Sequence, residues 1–365
     1  MKTMRLLWAV MAISLGACSS LDGKTAHEMV KVSAQRSLTQ DSQYNFAGEM
    51  QVSGRELTQE ELSRALTDHK GSLIGMAADA MKEYPAMGYY LEQSRIKMTG
   101  AVDLPAQKVE LIPEWSVQAR NDHASMRMPI LFDGNDMSVT VDMPVAVPII
   151  LNFLVEPAMR ARLVHEPIRF TLADASKKSS QQPIKTAIQA AWIASSRAYQ
   201  DMPAEQFQLL PLDAFAQESG AKYRIGLQWT AQNQQAYFKA FTHHWGLAFD
   251  RLQQEQPEPN VNAQAYQNLR AAMMKWAQKW LIEEDWLEPL FGQNVMRNLY
   301  LDGKGRLVGY RDYGQSQGKK QVLNVETRMK LFNFGKPKFS FQPVAGKSIS
   351  LAELLKSIQI QRTNK

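Results

Sequence analysis

The strongest constraint on the fold is a period of two. Tyr44, Phe46, Gly48, Met50 and Val52 alternate with polar residues. The pattern returns at Ile96, Met98, Val102 and Leu104, at Val109 and Leu111, at Met126, Met128, Ile130 and Phe132, and at Val139, Val141 and Met143. Successive side chains of a strand point to opposite faces, so this alternation gathers the apolar members on one face. Pro105, Pro113 and Asp133-Gly134-Asn135 separate the segments with turn chemistry. A run of long antiparallel strands with one buried face follows.

Helical spacing lies between and around these segments. Thr25-Ala26-His27-Glu28 has the spacing of a capping box and predicts a helix to about Leu38. Thr58-Gln59-Glu60-Glu61 repeats that spacing before a stripe of Leu62, Leu66, His69, Leu73, Met76 and Ala80, which Pro85 ends. Further on, short helices are expected near Pro183–Tyr199 and Pro203–Gln217, a strand through Tyr223, Ile225, Leu227 and Trp229, and a helical region from Ala231 to Leu252. The clearest helix runs from about Asn262 to Glu284. There Tyr266, Leu269, Met273, Trp276 and Trp280 make a stripe suited to packing on a sheet. Asp302-Gly303-Lys304-Gly305 joins Val295–Leu301 to Arg306–Tyr310 as a hairpin, and strands over Val322–Phe334 and Phe339–Phe341 follow. The class is α+β, with long antiparallel sheet covered by amphipathic helices.

The N-terminus bears on location. Lys2 and Arg5 precede an apolar run from Leu6 to Leu15, the order of a secretory signal. At about ten residues the run is half of what a spanning helix needs. Leu15-Gly16-Ala17-Cys18 then resembles the bacterial lipobox: an aliphatic residue, two small residues and a cysteine, here the sole cysteine of the 365 residues. The resemblance implies removal of residues 1–17, a diacylglyceryl thioether on Cys18 and acylation of its freed amine. Each buried CH2 contributes about 0.8 kcal/mol, so three acyl chains make a lasting anchor. Ser19 rather than an acidic residue follows Cys18. By analogy with lipoprotein sorting, this implies the periplasmic face of the outer membrane rather than retention at the inner one. With Cys18 lipidated no thiol remains for a disulfide, so stability must come from the core.

Removing Lys2 and Arg5 from 42 basic residues leaves 40 against 36 acidic ones. That small, interspersed surplus does not mark a nucleic-acid partner. The expected organisation is a signal over 1–17, a lipidated N-terminus and short tether over 18–24, and an N-terminal α+β half over 25–172. A polar linker or surface loop over 173–183, a C-terminal α+β half over 184–345 and a helix and tail over 346–365 complete it. About six residues between Cys18 and the first helix reach roughly 20 Å, which keeps the body near the bilayer.

No nucleophile elbow, zincin helix, Walker loop, EF-hand or paired-cysteine zinc pattern occurs. No catalytic residue, metal ligand or cofactor is therefore assigned, and the chain is not expected to be an enzyme. His243 and His244 are adjacent and point about 100° apart on a helix, so they do not chelate one ion from a common face. Glu283, Glu284, Asp285 and Glu288 read as a solvated helix end. Met143 to Pro157 is almost wholly apolar, yet Pro144 and Pro148 oppose a regular helix or central strand. It is either a buried crossing over the core or an exposed loop. In the second case Ile149, Ile150, Leu151, Phe153 and Leu154 carry a membrane or partner contact. Methionine is abundant, with 19 residues. Met50, Met98, Met126 and Met128 are expected on inward strand faces, as core filler or as the soft wall of an acyl-chain site.

The anchor, the short tether, the alternating strands and the covering helices together resemble the half-barrel lipoproteins and carriers of the Lol and LppX type. That resemblance implies a curved sheet wrapped on helices with acyl chains held between them. The expected function is non-enzymatic: binding of a hydrophobic ligand (a lipid or lipoprotein acyl chain) or of an envelope partner. The alternative is a structural or assembly lipoprotein that docks on an envelope complex without a ligand cavity.

Overall fold

The computed structural model describes residues 21–56, 94–119, 122–144, 155–171, 182–255, 263–282, 294–317, 321–344 and 346–363. Cys18, the Thr58 capping box and its helix, Ile149 to Leu154, the loop over 173–181 and the Glu283–Glu288 cluster lie outside them.

The strands are β1 (Gln43–Glu56), β2 (Ser94–Asp103), β3 (Lys108–Ala119), β4 (Asp122–Arg127), β5 (Ile130–Asp133), β6 (Ser138–Val141), β7 (Ile168–Thr171), β8 (Phe207–Leu210), β9 (Tyr223–Trp229), β10 (Asn294–Leu301), β11 (Leu307–Gln317), β12 (Gln321–Phe332) and β13 (Ile349–Ser350). All 13 join one open, curved sheet in the order β13-β7-β6-β5-β3-β2-β1-β12-β11-β10-β9-β8, with β4 paired to β3. Every pairing is antiparallel except β13 with β7. The sheet is continuous across residues 173–183 because β1 pairs with β12, setting Phe46 opposite Leu331 and Met50 opposite Thr327.

The helices are α1 (Ala26–Thr39), α2 (Pro157–Leu163), α3 (Gln182–Asp201), α4 (Ala214–Ser219), α5 (Ala231–Glu255), α6 (Ala263–Ile282) and α7 (Leu351–Thr363). The capping box opens α1 as its spacing predicts: the Thr25 hydroxyl accepts from the Glu28 amide, and the Glu28 carboxylate accepts from the Thr25 amide at 2.8 Å. Met29 and Val30 of α1 pack with Leu21, Phe207, Ile225, Leu227, Trp229 and Leu301, fixing the helix over β8 to β10. At the far edge, Val155, Met159 and Leu163 pack with Ile168 and Ile349, and α7 adds Leu354 and Ile358.

Several expectations are corrected. The segment Pro203–Gln217 is not one helix. A 3-10 turn at Ala204–Gln206 leads into β8, where Phe207 faces Leu227 and is buried, before Asp213 caps α4. Burying Phe207 against β9 outweighs the local helical pattern. The segment Met126–Phe132 is two strands, because Pro129 lacks the N–H a ladder needs; β4 and β5 pair with different stretches of β3. The stripe on α6 packs on helices, not on the sheet: Tyr266, Met273 and Ala277 meet Trp245, Ala248 and Phe249 of α5 and Ala190 of α3. Leu21 is fully buried and the Tyr223 hydroxyl donates to Asp22, so folded chain starts nearer Cys18 than residue 25.

Phe339–Phe341 is not a strand either. After a turn at residues 333–336, residues 337–344 form an extended strap over the outer sheet face, held there by side chains in place of a backbone ladder. The buried Asn45 amide acts as a substitute peptide: Nδ2 donates to Lys338 O at 2.8 Å and to Gly100 O at 3.0 Å, and Oδ1 accepts from Lys338 N at 2.9 Å. Glu110, 1% exposed, accepts from Phe341 N at 2.5 Å and Ser340 Oγ at 3.0 Å. Glu110→Ala leaves both donors unanswered, so we expect a loss of about 1–3 kcal/mol. The loss should show in urea denaturation, with faster tryptic cleavage after Lys338; unchanged cleavage would mean the strap is held by other contacts.

Candidate functional site

The two sheet faces are told apart by parity. Tyr44, Phe46, Gly48 and Met50 of β1 share a face, and the register brings Ile96, Met98 and Gly100 of β2 and Thr327, Met329 and Leu331 of β12 alongside them. This inner face looks toward α1 and α3. Between it and the helices lies a cavity of about 580 Å³, within the range typical of small-molecule sites. Val30, Ser33, Ala34 and Ser37 of α1 form one wall, Trp192, Ser195, Ser196 and Tyr199 of α3 another. Met50, Met98, Leu299, Leu307, Tyr310, Leu331 and Phe334 provide a largely apolar floor. Small residues let the two helices approach: the Ser196 hydroxyl donates to Ala34 O at 2.6 Å.

One charged constellation interrupts the apolar walls. Arg297 of β10 and Asp312 of β11 are direct cross-strand partners. Their pairing is bidentate, with Nε donating at 2.9 Å and Nη2 at 2.7 Å, and Nη1 donates to the Tyr199 hydroxyl at 2.5 Å. The guanidinium also lies 5.4 Å from the centroid of the Trp229 ring, a cation–π distance. Burial works against the charge on Arg297, but Tyr199 and Asp312 outweigh it and hold the group protonated well above its ordinary range. Tyr237 closes the network, its hydroxyl 2.9 Å from Ser195 Oγ, and burial raises its pKa. Burial likewise pushes Tyr44 up to about 12. At the other end of the cavity Asp41 accepts from Arg36 at 2.8 Å and from Arg306 at 3.0 Å, fastening the end of α1 to the β10–β11 hairpin.

Among the residues singled out from the sequence, Met50 and Met98 line this cavity, as the inward-facing expectation has it. Met126 is 37% exposed. Of the apolar run, only the flanks are described: Met143 packs against the core in which Val155 is fully buried. His243 and His244 are adjacent on α5, their ring centroids 5.4 Å apart. His244 Nε2 is 2.5 Å from Asp201, joining α5 to the end of α3. Among the described residues no three His, Cys, Asp or Glu side chains gather as a metal site, and no helix is long and apolar enough to cross a membrane. No spacing motif in the sequence marks Arg297, Asp312 or Tyr199. The available signal was parity: Val295, Arg297, Leu299 and Leu301 alternate on one face, so a charge sits where the pattern calls for an apolar residue.

Comparison with protein families, with curated proteins and with solved structures finds no match for this chain.

Proposed function

We propose that this chain is a periplasm-facing lipoprotein of the outer membrane that holds a hydrophobic ligand, a lipid or a lipoprotein acyl chain, and performs no catalysis. The observation that carries the reading is the apolar-walled cavity between α1, α3 and the inner sheet face. Tethering supports it: three peptide units link Cys18 to the buried Leu21, and they reach at most about 10 Å. An acylated Cys18 would therefore hold α1, and with it the cavity, against the bilayer surface. The soft thioethers of Met50 and Met98 suit a wall that adapts to a flexible chain. Docking on an envelope protein is the second reading; half-exposed Leu111, Trp115 and Met126 favour it, since they continue the inner face beyond the cavity.

The test uses residues 18–365 with Cys18→Ser, exported behind a signal peptide that carries no lipobox and purified from the periplasm. Lipid extraction should recover acyl lipid, and the emptied protein should bind an apolar environment-sensitive dye. Met98→Trp narrows the cavity from a half-exposed position on the sheet. Excluding two methylenes from burial should weaken binding about tenfold while circular dichroism stays unchanged. Recovery of no lipid together with no dye binding would overturn the ligand reading.

A further inference from the structure

The geometry points to a neutral acyl carbonyl, an ester or amide, as the polar part of the ligand, received by Arg297 and Tyr199 inside the cavity. This rests on the acyl-chain reading and adds where the head of the chain sits.

The first argument is a count of donors. A guanidinium has five N–H groups. Three of those on Arg297 go to Asp312 and Tyr199, and no hydrogen bond among the described residues takes the other two. The Tyr199 oxygen accepts from Arg297, and its own proton goes to no described residue. Both side chains line the cavity, so these donors face a largely apolar space, and no described residue supplies them an acceptor. Buried donors ordinarily find one, and a carbonyl oxygen accepts two such bonds.

The second argument is charge. The charged groups lining the cavity are Arg297, Asp312 and Asp41. Asp312 already neutralises Arg297 through two bonds. Arg36 and Arg306, which answer Asp41, are not among the lining residues. Asp41 is thus matched by its own cations and Asp312 by Arg297, so a carboxylate or phosphate beside Arg297 would lose its hydration there without gaining a free counter-ion. A carbonyl takes the same donors without that penalty. The site thus favours an esterified or amide-linked chain over a free fatty acid.

Three probes of equal chain length separate the possibilities: a monoacylglycerol, its ether analogue without the carbonyl, and the free fatty acid at neutral pH. Affinities come from displacement of the apolar dye from the Cys18→Ser protein. The monoacylglycerol should bind roughly tenfold more tightly than the ether, as one added hydrogen bond to a charged group implies, and more tightly than the fatty acid. In Arg297→Met/Asp312→Leu, which replaces both charges with apolar groups of similar size, the ratio of ester to ether affinity should fall to about one. Tyr199→Phe retains the ion pair and should lose part of the preference, so it serves if the double variant does not fold. Equal binding of ester and ether to the parent would overturn the carbonyl site and leave the acyl cavity standing. So would tighter binding of the fatty acid, or an ester preference that survives both sets of substitutions. No binding of any probe would overturn the acyl reading and this inference together.

Discussion

Arg297→Met alone is expected to destabilise the fold by about 3–5 kcal/mol, and Arg297→Met/Asp312→Leu to return close to the parent. The reason is the asymmetry of buried ion pairs. Removing one partner leaves the other charge in a poorly solvated place, whereas removing both exchanges a costly desolvation for ordinary apolar packing. Asp312 is 6% exposed, and both its oxygens are engaged by Arg297. With methionine at 297 it would keep its charge without a cation or gain a proton on folding, and either is unfavourable. The surroundings suit the apolar double replacement, since Leu299, Tyr310 and Trp229 already adjoin the site. Urea denaturation of the Cys18→Ser protein measures both variants. A single variant as stable as the parent would show that the pair contributes nothing to folding, and would remove the reason for supplying the two changes together.

The parts of the fold legible in the sequence are those set by near neighbours. The capping box at Thr25, the hairpin at Asp302 to Gly305 and the alternation of β1 and β2 were all placed by spacing, because each depends on interactions within a few residues. In the hairpin the Asp302 carboxylate accepts from the Lys304 and Arg306 amides at 2.8 and 2.9 Å, a bond pattern that lies wholly inside the turn. Local pattern fails where a distant partner decides the outcome. The β8 strand exists because Phe207 is buried on β9, and the strap over 337–344 because Asn45 and Glu110 lie beneath it. The α6 stripe carried the right residues for a packed face but could not say whether a sheet or a helix lay opposite.

The cavity was the least legible feature, since its walls come from α1, α3 and five strands spread over most of the chain. Alternation could assign Met50 and Met98 to an inner face. It could not show that β1 pairs with β12, which sets Met50 and Met98 in one floor with Leu331 and Leu299. A charge on the apolar parity of β10 was visible, yet its partner at Asp312 becomes evident only once the register of β10 and β11 is known. Proteins tend to break local rules where a function or a constraint lies, and the Arg297 position is such a break.

Gly48→Ala is expected to destabilise the chain by ~3 kcal/mol or more, with Gly303→Ala as a neutral control. Both residues are glycines, but their surroundings differ. A Cβ at Gly48 would lie 2.0 Å from Arg328 O and 2.8 Å from Met329 Cα, backbone atoms of the adjoining β12 that cannot swing aside. At Gly303 the added atom meets only Lys222 Cγ at 3.6 Å, an ordinary contact. Forcing bulk into packed backbone commonly costs 1–3 kcal/mol, and more where nothing can relax. Gly48 stands opposite Met98 and Met329, at the seam where β1 joins the strands on either side of residues 173–183. Gly100 shows a similar close approach one strand over, where the Phe46 ring occupies the space a side chain would take. These two positions allow β1 to lie close against both neighbours beneath the cavity, so moving β12 would also shift the floor that Thr327 and Leu331 provide. Thermal or urea unfolding of Gly48→Ala beside Gly303→Ala checks this. Equal stability of the two would show that the β1–β12 contact is looser than the backbone separation indicates.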